Sequence, residues 1–494
     1  MNPIKKLAGQ TAIYGLSSIV GRLLNYLLVP FYTRIFTTGE YGVVTEIYAY
    51  VSFLVVVLTY GMETAYFRFS EKVEDKEKLY STSLISLFST SAIFILITSI
   101  FSTGIANWMG YALHPEYIIW FVLIVAFDAI TAIPFAKLRA QNKALKFATI
   151  KLVNIFTNIG FNLFFILLCP YLLKNSDNTT ITNFVHSIYN PAIGVGYIFI
   201  ANLLSSSITV LMLFPSMVKI KFSFDTELWK KMIKYALPLL IVGLAGIINE
   251  TFDRALLKHL LPDKATAMSQ LGIYGACYKI SILMTIFIQT FRFAADPFFF
   301  SEAKNKNAQQ IYADVMKYFV IVCAFIFLGT MLYMDVVKTF VGKDFYSGLK
   351  VVPILLMANL FLGVFINLSI WYKLSGQTMY GAYLSIFGAI ITLVLNYWWI
   401  PIFGYMGSAW ATFICYFAMM VLSYFVGQKH YPVNYDLIRI LGYLGLSVLL
   451  YFASEYLYID SKPMRLIVNS FYLIGFAMVV YVSERSVTKV VIKD

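Results

Sequence analysis

An all-α polytopic membrane protein is the fold class the sequence predicts, and three observations carry that expectation. Of the 494 residues 60% are hydrophobic and 13% charged, with a mean hydropathy of +0.75, a composition outside the range of soluble globular domains. Apolar stretches of about 20 residues, the length that crosses a hydrocarbon core, recur from one end to the other. The segments joining them are too short to fold as separate soluble domains.

Fourteen spans are expected, at about 10–31, 43–65, 81–106, 117–136, 149–171, 193–214, 236–257, 271–297, 312–333, 351–372, 381–400, 407–426, 440–458 and 466–483. The first is full length, contains Arg22 and lacks a small-residue cleavage site after it, so it reads as a retained span rather than a signal peptide. An even number of spans places both termini on one side. That side carries 25 of the 38 Lys and Arg, against 9 on the other, so both termini are expected in the cytoplasm. The longest segment on the opposite side, about 172–192, is rich in Asn, Thr and Ser. Its Asn178-Thr179-Thr180 matches a glycosylation acceptor too weakly to carry a role.

Internal repetition organises the chain. Lys5-Lys6 precedes span one as Lys230-Lys231 precedes span seven, and Tyr41-Gly42 opens span two as Tyr274-Gly275 opens span eight. Six spans separate each pair, which suggests parallel halves with a substrate site between them. The expected organisation is an N-terminal lobe at 1–225, a C-terminal lobe at 226–432, and an added pair of spans with a cytoplasmic tail at 433–494.

Ionisable groups at bilayer depth mark the functional residues, because each costs about 2.5–3.5 kcal/mol if it faces lipid. Gly15, Ser18, Arg22 and Asn25 fall on one face of span one at helical spacing. Gly243, Gly246, Glu250 and Asp253 repeat the pattern on span seven, where Glu250 and Arg254 are also placed for an i,i+4 pair. Span eight carries Lys279, Gln289, Arg292 and Asp296. Asp128 and Thr131 stand in span four above Pro134, which is expected to kink or break the helix. Lys151, Asn154, Asn158 and Asn162 line one face of span five, as packing amides or as hydrogen-bonding groups for a sugar-like ligand. A shared hydrated cavity in which the cations answer the acids is the economical reading. Its candidate residues are Arg22, Asn25, Asp128, Asn154, Asn158, Glu250, Asp253, Arg254, Lys279, Arg292 and Asp296.

Catalysis and metal binding find no pattern. Cys169, Cys277, Cys323 and Cys415 lie singly in apolar stretches, and His114, His186, His259 and His430 are scattered, without metal-ligand spacing. No cofactor is expected beyond a coupling ion, Na⁺ or H⁺, and no nucleic-acid partner.

Several stretches carry a family resemblance. They are Arg34 followed by Tyr41-Gly42, PFAKLRAQNKALKF at Pro134–Phe147, LNYWWIPIFGYMGSAWAT at Leu395–Thr412 and, more weakly, Asp253-Arg254 followed by Gly272-Ile273-Tyr274. These resemble the Wzx-type polysaccharide or oligosaccharide flippases of the multidrug/oligosaccharidyl-lipid/polysaccharide (MOP) exporter superfamily. The resemblance implies a MATE-like fold of two six-helix lobes plus two C-terminal helices. It implies alternating access, and a substrate of undecaprenyl-pyrophosphate-linked oligosaccharide, such as an O-antigen or capsule repeat unit, crossing a bacterial inner membrane. Membrane lipids and other glycan-assembly membrane proteins are the implied partners. Asn396, Pro401, Gly404 and Gly407 match family positions and read as the turn between spans eleven and twelve. A MATE-type drug antiporter and a lipid II flippase share the architecture and stand as alternatives; a membrane enzyme would need an outer catalytic loop or a nucleotide-sugar motif.

Overall fold

The computed structural model describes residues 19–21, 23–218, 223–457 and 459–491, with the side chains of all of these except 296, 297 and 486–491. Arg22, most of the first span and the side chain of Asp296 lie outside the described residues.

Beyond a short first helix, α1 (Val29–Ile35), the described chain holds thirteen helices long and apolar enough to span a membrane. They are α2 (Thr38–Ser70), α3 (Lys76–Ile100), α4 (Glu116–Ala140), α5 (Ala144–Asn175), α6 (Gly196–Val218), α7 (Thr226–Leu260), α8 (Lys264–Glu302), α9 (Ala308–Leu332), α10 (Lys343–Leu374), α11 (Met379–Phe403), α12 (Tyr405–His430), α13 (Leu437–Tyr456) and α14 (Lys462–Val491). Spans two to fourteen are therefore where the apolar runs place them. Their ends are set by local chemistry. Asp75 caps α3 by accepting the Lys78 amide at 2.9 Å, and Asp436 accepts the Arg439 amide at the start of α13. Asn178 caps a short helix, Thr179–Ile188, in the long connection before α6, which gives the glycosylation-like triplet a structural role.

Contacts divide the chain into two compact units. The first holds the described residues up to Leu28 together with Gly39–His259; the second holds Val29–Thr38 and Leu260 onward. Division by contact thus assigns α7 to the first unit, whereas the internal repeat begins its second half with that helix.

In the first unit α4 packs against α3, α5 and α6. It is buried along most of its length because Ile118, Val122, Val125, Ala129, Ile133 and Ala136 recur at helical spacing. The helix runs unbroken through Pro134. A break occurs instead in α2, where Tyr60 and Gly61 both take positive φ between the pieces Thr38–Thr59 and Met62–Ser70. A side chain at Gly61 would also press to 2.9 Å from the Ala236 carbonyl. Around this break, Met62, Tyr66, Leu79, Tyr80, Ile133, Phe147 and Met232 form a core at the end of the unit rich in Lys and Arg.

In the second unit α10 is the central helix, packed on α8, α9 and α12. The turn from α11 to α12 is built by the motif read in sequence. Asn396 is fully buried, donates to the Thr392 carbonyl at 2.7 Å and accepts from Ser408 at 2.8 Å. Gly404 reverses the chain at φ 59°, and Gly407 lies so close to the Trp399 carbonyl that a Cβ would sit 2.5 Å from it. The two C-terminal helices dock on α9 through Phe325, Leu328, Tyr443, Tyr472 and Phe476.

Candidate functional site

A seam of polar side chains runs through the first unit, carried by α4, α5 and α6. Asp128 presents an exposed carboxylate from the middle of α4 and accepts from Ser206 of α6 at 3.3 Å. Lys151 of α5 is near enough to act on Asp128 electrostatically. Its amine lies 4.3 Å from the centroid of the Phe135 ring, a placement in which an aromatic face holds a cation without a hydrogen bond. Lys151 is half-buried.

Further along the same face of α5, Asn154 donates to Thr209 of α6 at 3.0 Å. Asn158 donates to Asn25 at 3.2 Å, and Asn162 donates back to the carbonyl and side-chain oxygen of Asn158 at 2.8 and 3.1 Å. The 3-4-4 spacing did put these residues in line, and Asn25 joins them as the one described residue of the first span's polar face. Asn202 of α6 extends the seam by donating to Tyr48 of α2 at 2.8 Å. Side-chain hydrogen bonds of this kind join neighbouring helices.

The remaining predicted residues divide between the units. On α7, which belongs to the first unit up to His259, Asp253 is buried and accepts the Arg254 amide at 2.8 Å. Arg254 is half-buried. Glu250 is exposed, and no described residue bonds its carboxylate, so the i,i+4 pairing with Arg254 is not formed. In the second unit, α8 carries Lys279 half-buried and Arg292 exposed.

One ionic cluster escaped the sequence reading altogether. Glu46 of α2 is fully buried and pairs with Lys258 of α7 at 2.8 Å. The Tyr111 hydroxyl donates to the same carboxylate oxygen, and the Lys258 amine also donates to the Met109 carbonyl. Burial, reinforced by the Glu46 charge, pushes the Tyr111 hydroxyl well above its ordinary pKa and keeps it a donor. An acid at the fourth position of the span expected at 43–65 was a visible signal. Its lysine partner, close to a span end, looked like a loop cation.

The comparisons with known proteins add a family and a fold. A family model described as polysaccharide biosynthesis protein matches residues 7–302, more than half of the chain. The chain belongs to that family. A lipid II flippase MurJ structure in an inward closed conformation is similar over 95% of this chain and 99% of its own, with a TM-score of 0.70 at 14% identity. An inward-facing MATE multidrug resistance transporter of the MOP superfamily matches over 85% of this chain and 97% of its own, with a TM-score of 0.65 at 13% identity. A MOP superfamily transporter from Pyrococcus furiosus, whose structure is titled for the reverse polarity of its binding pocket, matches over 86% and 94%, with a TM-score of 0.54 at 15% identity. The search of curated proteins finds no match. This member of the polysaccharide biosynthesis family is therefore a multi-pass membrane protein with the MOP transporter fold.

Proposed function

We propose that this protein is a flippase for undecaprenyl-pyrophosphate-linked oligosaccharide, working in a bacterial cytoplasmic membrane with both termini and the Lys/Arg-rich ends of its helices in the cytoplasm. The observation that carries the reading is the seam of Asp128, Lys151, Asn154 and Asn158 in a family of polysaccharide biosynthesis. Lys151 supplies a cation for phosphate, the amides supply donors and acceptors for sugar hydroxyls, and the polyprenyl tail needs no protein polar group at all. Two lobes alternating around a cavity that also takes in Arg22, Glu250, Asp253, Arg254, Lys279, Arg292 and Asp296 is the mechanism this reading requires. O-antigen or capsule units, membrane lipids and neighbouring glycan-assembly proteins are the partners it names.

The test uses purified full-length protein in liposomes loaded with a polyprenyl-pyrophosphate oligosaccharide carrying a fluorescent sugar, followed by quenching from outside. Wild type is expected to accelerate exchange between leaflets, and Lys151→Gln to slow it about tenfold or more, the loss of one charge-assisted contact of ~1.4 kcal/mol or more. Equal rates for protein-free and loaded vesicles would sink the proposal. Lipid II is offered in parallel, because the MurJ likeness covers nearly the entire chain. Preference for lipid II would replace the substrate, and exchange of cationic dyes against Na⁺ or H⁺ would favour the drug-antiporter alternative instead.

A further inference from the structure

Glu46 uses only half of its acceptor capacity. Its Oε2 takes both the Lys258 amine and the Tyr111 hydroxyl, whereas Oε1 is buried with no hydrogen-bond partner among the described residues. Buried carboxylates ordinarily have both oxygens satisfied. Lys258 is differently placed. Besides Glu46 it has the Met109 carbonyl and the face of the Tyr111 ring, whose centroid lies 4.4 Å from the amine. A neutral Glu46 therefore leaves the lysine charge held by a carbonyl dipole and an aromatic face.

The position of the pair in the chain gives that exchange a mechanical consequence. The chain passes from one compact unit to the other at Leu28–Val29, Thr38–Gly39 and His259–Leu260. Glu46 follows the Thr38–Gly39 crossing by two helical turns, and Lys258 precedes the His259–Leu260 crossing by one residue. We infer that Glu46 is a proton-binding site, and that a proton there replaces the Lys258 pairing and loosens the C-terminal end of α7 from α2. This rests on the transport reading above and names its coupling ion: a proton arriving from the side opposite the Lys/Arg-rich ends. Several charged or titratable groups face the site. Lys258 comes from α7, Tyr111 from the segment before α4, and Tyr50 from α2 itself. Behind them stand His259, bonded to Tyr50 at 3.0 Å and stacked on Trp108, then Tyr117 with Glu40, and the His114–Glu116 pair.

Thiol labelling reads the release directly. The four native cysteines are buried, and so is Ala255, one turn before Lys258. In full-length protein carrying Ala255→Cys in liposomes, the rate of maleimide labelling is normalised to that of the exposed Leu113→Cys variant. The normalised rate is expected to rise about threefold or more as the pH falls from about 8 to about 5.5. Adding Glu46→Gln should give the high rate at both pH values, and Lys258→Met should move the midpoint up by about one pH unit or more. Glu46→Asp, which keeps a titrating carboxyl, should keep a step. A flat wild-type profile, a step that survives Glu46→Gln, or one that disappears in His259→Gln would overturn the inference. Since the labelling needs no glycan, a clear step beside absent glycan movement would fault the substrate assignment and leave the proton site standing.

Discussion

Two carboxylates, the fully buried Glu46 in the first unit and the half-buried Glu484 in the second, solve the same problem differently. Glu484 fills both oxygens: Oε2 takes Lys317 at 2.7 Å and Oε1 takes Tyr443 at 2.8 Å. Its neighbour at the other end of the same helix pair does likewise, with Lys338 on Oδ1 of Asp335 and Arg465 on Oδ2, each at 2.5 Å. Glu46 places two donors on one oxygen and none on the other. A fully bonded carboxylate is hard to neutralise, because protonation forfeits several charge-assisted bonds at once. One with an unfilled oxygen has a place for a proton that no described donor occupies. The second unit's pairs thus fix α13 and α14 to α9, while the pair in the first is suited to exchange.

The largest expected effect follows from breaking a fixed pair. Lys317 and Glu484 side chains are only 6% and 12% exposed, so Lys317→Met takes from a largely buried carboxylate its nearest cation, with the Tyr443 hydroxyl and the more distant Arg439 still beside it. Removing one partner of such a pair costs about 3–5 kcal/mol. Thermal unfolding of purified protein in detergent should fall accordingly, whereas Lys317→Met combined with Glu484→Met should recover most of the loss. If the single variant melts with wild type, α14 is not held by this pair and the contrast with Glu46 weakens.

Asp335 should give a smaller effect that depends on pH. Burial opposes its charge, but the Lys338 hydrogen bond and the charges of Lys338, Arg465 and Lys462 outweigh it and hold the carboxyl below its usual range. The folded pKa is depressed, so the stabilisation is fully present above the unfolded value of about 3.9 and is lost as pH falls through the folded one. Melting followed from about pH 6 down to about pH 3 should show this loss, and Asp335→Asn should remove that part of the slope while costing about 1.5–3 kcal/mol at neutral pH. A slope unchanged by the substitution would assign the acid sensitivity to other groups.

Helices were legible in the sequence because a span must satisfy its backbone internally and be apolar for about 20 residues, a long-range signal that single charges barely disturb. Spans two to fourteen follow from it directly. Helical periodicity likewise put Lys151, Asn154, Asn158 and Asn162 on one face. What it could not give was the partner: Thr209 lies 55 residues from Asn154, and Glu46 lies 212 from Lys258, and such pairings are properties of packing. Asp128 stood out as an ionisable group in an apolar run and Lys151 as the first residue of the span-five stripe, but that the two lie near each other is again a property of packing. Glu46 met the same criterion and was passed over, its lysine having been assigned to a loop. At Pro134 no break occurs: its missing amide proton is accommodated inside α4, and a break falls instead at Gly61, where the chain takes a positive φ.

The neutral part of the seam sharpens the comparison from its weak end. Asn154 and Thr209 join α5 to α6 by one uncharged hydrogen bond of 3.0 Å, and Thr209 keeps a second bond to the Ser205 carbonyl. Interhelical bonds of this kind in membranes average about 0.6 kcal/mol and reach ~1.7. Asn154→Leu should therefore shift melting by no more than a few degrees, far less than Lys317→Met. Because an amide facing a sugar matters to transport more than to folding, the same variant should lose flipping rate out of proportion to its stability. Loss of stability without loss of rate would return Asn154 to helix packing and shorten the substrate-facing seam to Asp128, Lys151 and Asn158.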